Sequence, residues 1–159
     1  MGTPPRGWGG GGQSGVKLVV AIYDVHLEPG APLHPAYLAV ENFIIRNQPD
    51  VLVIGGDYLD MGCFCFHDAD KPKRLEGKRY WLSCQLGRER LSRLREHVGE
   101  MHYLIGNHEH RVIRYIEKHP ELDGSLDLVR DLGLREMDVN VVPYNEVLRL
   151  GKLNFIHGW

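Results

Sequence analysis

The sequence predicts an α/β domain in which a mixed β-sheet is flanked by helices. Short apolar runs rich in β-branched residues alternate with helix-period stretches over the first two thirds of the 159 residues. Three β-like segments then follow one another at the end, which argues against a purely parallel sheet. The composition, 43% hydrophobic and 25% charged, is that of an ordinary globular protein, and the length suits one domain with a real core.

Met1–Gly15 is rich in Gly and Pro and reads as a flexible tail, which leaves residues 16–159 as the folded domain. Lys17–Tyr23 is a buried strand, because Leu18, Val19, Val20, Ala21 and Ile22 form a continuous apolar run. A helix follows over Ala36–Arg46, with Leu38, Val40, Phe43 and Ile44 at helix spacing, and Pro49-Asp50 ends it. Val51–Ile54 is the second buried strand. Met61–Leu75 has no clear period and reads as a long loop. Gly77–His97 is helical, with Leu82, Leu86, Leu91 and Leu94 on one face. Met101–Ile105 is the third strand. Val112, Ile113 and Ile116 mark a helix stopped by Pro120, and Leu126, Leu128, Val129 and Leu132 mark another before Gly133. Val139–Val142, Glu146–Leu150 and Lys152–Ile156 are β segments, the last two joined by a turn at Gly151-Lys152.

The formal charge of −2 neither recruits nor repels nucleic acid as a whole, so any such contact must be local. No apolar run approaches the roughly 20 residues of a membrane helix, and the opening lacks the apolar core of a signal peptide. Cys63, Cys65 and Cys84 form an odd set that cannot close a disulfide framework. A cytoplasmic location is the resulting expectation.

In open α/β sheets the ligand site lies beyond the carboxyl ends of the strands. Here those ends carry metal-ligand chemistry: Asp24 and His26 after the first strand, Asp57 and Asp60 after the second, Asn107 and His108 after the third, and His157 after the last. Carboxylate and imidazole suit divalent transition metals, and a shared carboxylate can bridge two of them. Such a pair, about 3.5–4 Å apart, suits hydrolysis of phosphate esters.

The runs Asp24-Val25-His26, Gly56-Asp57-Tyr58-Leu59-Asp60, Gly106-Asn107-His108-Glu109 and His157-Gly158 resemble, in order and spacing, the DxH, GDxxD, GNH[DE] and later His motifs of the calcineurin-like metallophosphoesterase superfamily. The form of these motifs is nearer to the phage and bacterial phosphoesterases than to the eukaryotic Ser/Thr phosphatases, which have Arg-Gly where this chain has Met61-Gly62. The resemblance implies a mixed β-sheet sandwich flanked by helices. It implies Asp24, His26 and Asp57 as ligands of one metal, and Asp57, Asn107 and His157 as ligands of a second. His108 takes the position of the phosphate-contacting histidine and general acid, oriented by Asp60. The implied cofactors are two divalent ions, Mn first, with Fe, Zn, Ni or Mg as alternatives. The family's final GHxH does not occur before Trp159, so the resemblance implies a domain incomplete at its C-terminus, with weakened metal binding.

Other residues carry weaker signals. Arg111 could contact a substrate phosphate or sit on a solvated helix face. Cys63, Cys65 and Cys84 lack paired zinc-ligand spacing and read as loop and core thiols. His34, His97, His102 and His119 match no motif. The stretch Lys71–Arg95 is strongly basic and interrupted by Tyr80 and Trp81, which fits either a charged helix face or a single-stranded nucleic-acid groove. The expected function is metal-dependent phosphoesterase activity on a phosphate ester substrate. The alternative is a silent domain that only binds metal or nucleic acid.

Overall fold

Val51–Ile54 forms β2, the most deeply buried strand among the described residues, with all four side chains covered. The structure, a computed structural model, describes residues 17–68 and 70–158; the tail expected over Met1–Gly15 lies outside the described residues. β2 runs parallel to β1 (Val19–Ile22) on one side and to β3 (Glu100–Leu104) on the other, and β4 (Asn140–Val142) extends the sheet parallel to β3. The order β1-β2-β3-β4 is sequential, so right-handed crossovers put the connecting helices on one face.

Alternation along the strands then divides the core in two. Leu52, Ile54, Met101 and Tyr103 face the helices. These are α1 (Pro35–Asn47), α3 (Tyr80–Arg95) and α4 (Asn107–Lys118), with two short ones, α2 (Pro72–Leu75) and α5 (Leu128–Asp131). Val51, Val53, Leu104 and Val142 face the other way, onto Leu148, Leu150 and Phe155. Those partners belong to an antiparallel pair, β5 (Leu148–Leu150) and β6 (Leu153–Phe155). Burying each large side chain of this kind contributes roughly 1.5–3 kcal/mol.

Both parallel and antiparallel pairing are therefore present, as expected of a mixed β-sheet sandwich flanked by helices: the parallel strands form one sheet and β5–β6 a second, stacked across its face. Two expectations are corrected. Met61–Leu75 is not a plain loop; it holds 3-10 turns at Gly62–Phe64 and Phe66–Asp68, and then α2. Elements of three or four residues are too short to show a hydrophobic period. The helix expected from Gly77 starts at Tyr80, because Gly77 has a φ of 77°, outside the helical region.

α1 starts where chemistry allows it. The His34 side chain accepts the Ala36 amide, Pro35 takes the first turn, and Gln48 closes the helix in the left-handed region.

Candidate active site

The segments that leave β1 and β2 stay zipped together beyond the sheet. His26 N–H donates to Asp57 O (2.9 Å), Leu27 N–H to Tyr58 O (2.8 Å), and Asp60 N–H to Leu27 O (3.0 Å). Asp24, His26 and Asp57 adopt φ values of 53°, 51° and 51°. Left-handed backbone at three non-glycine residues is costly, and its concentration at one spot is the mark of a functional constraint. It turns the three side chains toward a common point. Ligand atoms of Asp24, His26 and Asp57 lie within 4.8 Å of one another, as do those of His26, Asp60 and His108.

Asp57 is the centre of the arrangement. It is 3% exposed, and its Oδ1 accepts the His108 amide at the N-terminus of α4 (2.9 Å), where the helix dipole favours negative charge. His26 Nε2 stands 4.0 Å from Asp57 Oδ2, and His157 Nε2 3.4 Å from Asp57 Oδ1. Asn107 Oδ1 is 2.9 Å from that same His157 nitrogen. His157 reaches the cluster from the end of β6, in the second sheet, rather than from a neighbouring strand of the first.

The His157 ring is oriented by a backbone carbonyl. Its Nδ1 lies 2.9 Å from Gly55 O, which can only accept, so Nδ1 carries the hydrogen and the Nε2 lone pair points at Asp57 and Asn107. Carbonyl-anchored imidazoles of this kind are the usual form of a histidine ligand. Gly56 is needed for the approach: at its φ of 99°, a Cβ would lie 2.5 Å from His157 Nδ1. Oxygen and nitrogen lone pairs thus face one another around a buried carboxylate. His26 Nδ1 is buried without a hydrogen-bond partner. This donor set fits divalent cations such as Mn, Fe or Zn.

His108 sits beside the cluster. Its Nδ1 is 2.7 Å from Asp60 O and 3.4 Å from Asp60 Oδ1, and its Nε2 is 3.7 Å from Asp57 Oδ2. Burial disfavours its charged form, but the side-chain and backbone hydrogen bonds to Asp60 outweigh that and raise its pKa above the ordinary value. The His108 hydrogen bond in turn holds the Asp60 carboxyl below its usual range. Arg111, one helical turn on, donates to Asp60 O (3.1 Å) and to His108 Nε2 (3.0 Å). Arg111 therefore lies half-buried against Asp60 and His108 rather than on a solvated helix face.

Sequence reasoning gave Glu109 no role of its own, and the structure gives it a large one. It is fully buried, and its two oxygens accept four hydrogen bonds. Oε2 takes the amides of Asp57 (3.0 Å) and Gly106 (3.1 Å); Oε1 takes the amide of Leu59 (2.9 Å) and the hydroxyl of Tyr103 (2.9 Å). Burial pushes its pKa up, while the bonds from the Leu59 amide and the Tyr103 hydroxyl pull it down, and the three amides, which can only donate, favour the carboxylate form. The available signal was its position in the first turn of a helix, where an acid can reach back to the N-cap amide.

The basic stretch Lys71–Arg95 is largely committed within the fold. Arg74 pairs with Asp68, Lys78 with Glu28, and Arg90 and Arg93 with the buried Glu41, while Arg95 donates to Met137 O and Val98 O. The three cysteines are free thiols; Cys84 is buried, and burial pushes it up to about 12. No helix among the described residues is long and apolar enough to cross a membrane.

The model of the calcineurin-like phosphoesterase family matches residues 18–159 of the chain. No curated protein matches it.

Proposed function

The chain belongs to the calcineurin-like phosphoesterase family, and from that premise we propose that it hydrolyses phosphate esters at a two-metal centre built on Asp57. Asp24, His26 and Asp57 hold one ion; Asp57, Asn107 and His157 hold the other, with Mn the first candidate for both. The observation that carries this reading is the buried Asp57 carboxylate, which has an imidazole nitrogen on either side, at 4.0 and 3.4 Å. The cluster of His26, Asp60 and His108 is a poorer second site. The His108 nitrogen that faces Asp60 is its Nδ1, and that atom already donates to a carbonyl.

Two divalent ions at such a site supply water activation and neutralisation of phosphoryl charge. The chain's own residues supply the rest. His108 stands next to the centre to give a proton to the leaving oxygen, a task suited to an imidazole. Asp60 holds the ring by its Nδ1 edge, so the proton passes at Nε2, which accepts from Arg111 here and is released as that guanidinium turns to the phosphate. Arg111 adds a permanent positive charge at the same place, with planar geometry for phosphate oxygens.

Hydrolysis of an aryl phosphate monoester and of a diester, with and without Mn, tests the reading when the chain is compared with its Asp57→Asn variant. The expected result is turnover that requires Mn and falls to background in the variant. A folded, Mn-loaded chain that turns over neither ester, or a variant as active as its parent, would refute it.

A further inference from the structure

A cavity of about 690 Å³ adjoins the metal-ligand cluster and shares Asn107 and Arg111 with it. One wall is a face of α4, where Arg111, Arg114, Tyr115 and Lys118 recur at the helical spacing i, i+3, i+4, i+7. The opposite wall comes from the turns that follow β2 and includes Phe64 and Phe66. Phe66 is 73% exposed, with Lys118 Nζ 5.1 Å from its ring centroid.

Arg114 and Lys118 are exposed and, unlike Arg74, Lys78, Arg90 and Arg93, make no ion pair among the described residues. Cations left without counter-charge beside the exposed Phe66 ring, in a cleft that leads to a candidate phosphate site, are complementary to an anion that carries a flat ring. From Arg111 to Lys118 the helix rises about 10 Å, which separates one anionic group at the metal cluster from another farther along the cleft.

We propose that this cavity receives the nucleotide part of the substrate, so that the hydrolysed ester belongs to a short single-stranded nucleic acid. The base stacks on Phe66, and the next phosphate lies against Arg114 and Lys118. The inference rests on the phosphoesterase reading for the reacting end only. There the oxygen of a water bonds to phosphorus, the phosphorus–oxygen ester bond breaks, and the leaving oxygen takes a proton, so that water supplies both the new oxygen and, in net terms, that proton. Nucleic-acid recognition thereby moves from Lys71–Arg95 to α4 and the turns that face it.

The test separates binding from turnover. In EDTA, where no hydrolysis occurs, calorimetry compares a 5′-phosphorylated thymidine dinucleotide with inorganic phosphate, on the parent chain, Phe66→Ala and Arg114→Gln/Lys118→Gln. All three side chains are exposed, so the variants keep the fold. The parent should bind the dinucleotide well above inorganic phosphate; Phe66→Ala should weaken it roughly tenfold, the loss expected for one stacking contact, and Arg114→Gln/Lys118→Gln, which removes two cations, by at least as much. Variants that bind as the parent does, or a parent with no preference for the dinucleotide, would overturn the proposal. Failure of the phosphoesterase reading shows separately, as preference for the dinucleotide in EDTA without turnover of either ester in Mn.

Discussion

Glu109→Gln tests whether one buried carboxylate holds the loops that carry the site. Its Oε2 faces two obligate donors, the amides of Asp57 and Gly106. Its Oε1 faces the Leu59 amide and the Tyr103 hydroxyl. Glutamine loses least with its NH2 in the Oε1 place, because the Tyr103 hydroxyl can turn round and accept. The Leu59 amide cannot, and a buried N–H left without a partner costs about 1–3 kcal/mol. The two bonds kept by the amide oxygen weaken by about 1 kcal/mol each when the acceptor loses its charge. Relief from burying a charge offsets part of this. The net loss is about 2–4 kcal/mol, a large share of the 5–15 kcal/mol typical of a domain. In urea, at a slope of about 2 kcal/mol per molar, the midpoint should fall by about 1–2 M with the slope unchanged. A fall of less than about 0.5 M would refute the view that Glu109 organises these loops.

Three further outcomes are expected. Gly106→Ala puts a Cβ 2.2 Å from both the amide and Oδ1 of Asp57; since backbone cannot swing aside, the variant should lose about 3 kcal/mol or more and bind Mn weakly by calorimetry. Mn at about 100 times its dissociation constant should raise the melting temperature of the parent by about 5–10 °C, from some 2.7 kcal/mol of linkage, and Asp57→Asn should flatten the response. Tyr80→Phe removes the 2.8 Å bond from the tyrosine hydroxyl to Asp131. Burial raises the Asp131 pKa, but bonds from Arg130, Tyr80 and the Asp127 amide outweigh it and hold the group below the ordinary carboxylate value. The stability from a depressed carboxylate is present above its unfolded pKa and lost as pH falls through the folded one. Urea midpoints should therefore show a cost of about 1 kcal/mol near pH 7 that shrinks in acid below the carboxylate range.

The strands and ligand types were legible before any coordinates because both are local properties. Val51–Ile54 is an unbroken apolar run and forms β2 over those same residues, and the polar clusters after the first three strands fall where loops leave a sheet. The segment after Met61 was not legible, since its turns are shorter than any period. The resemblance implied a sandwich, but which strands cover which was not legible: Leu148, Leu150 and Phe155 pack on Val51, Val53 and Leu104, and an apolar residue does not state which face will cover it.

By itself the sequence determined which groups stand at the ends of strands, and hence that carboxylate, amide and imidazole donors would be available for a metal pair. Only the tertiary structure decided what those donors face. Glu109 gathers four donors from two stretches of chain, His157 arrives from the second sheet, and Arg111 turns inward while Arg114 and Lys118 face an aromatic cleft. Donor identity is written residue by residue, but distance and counter-charge depend on parts of the chain 50 or more residues apart.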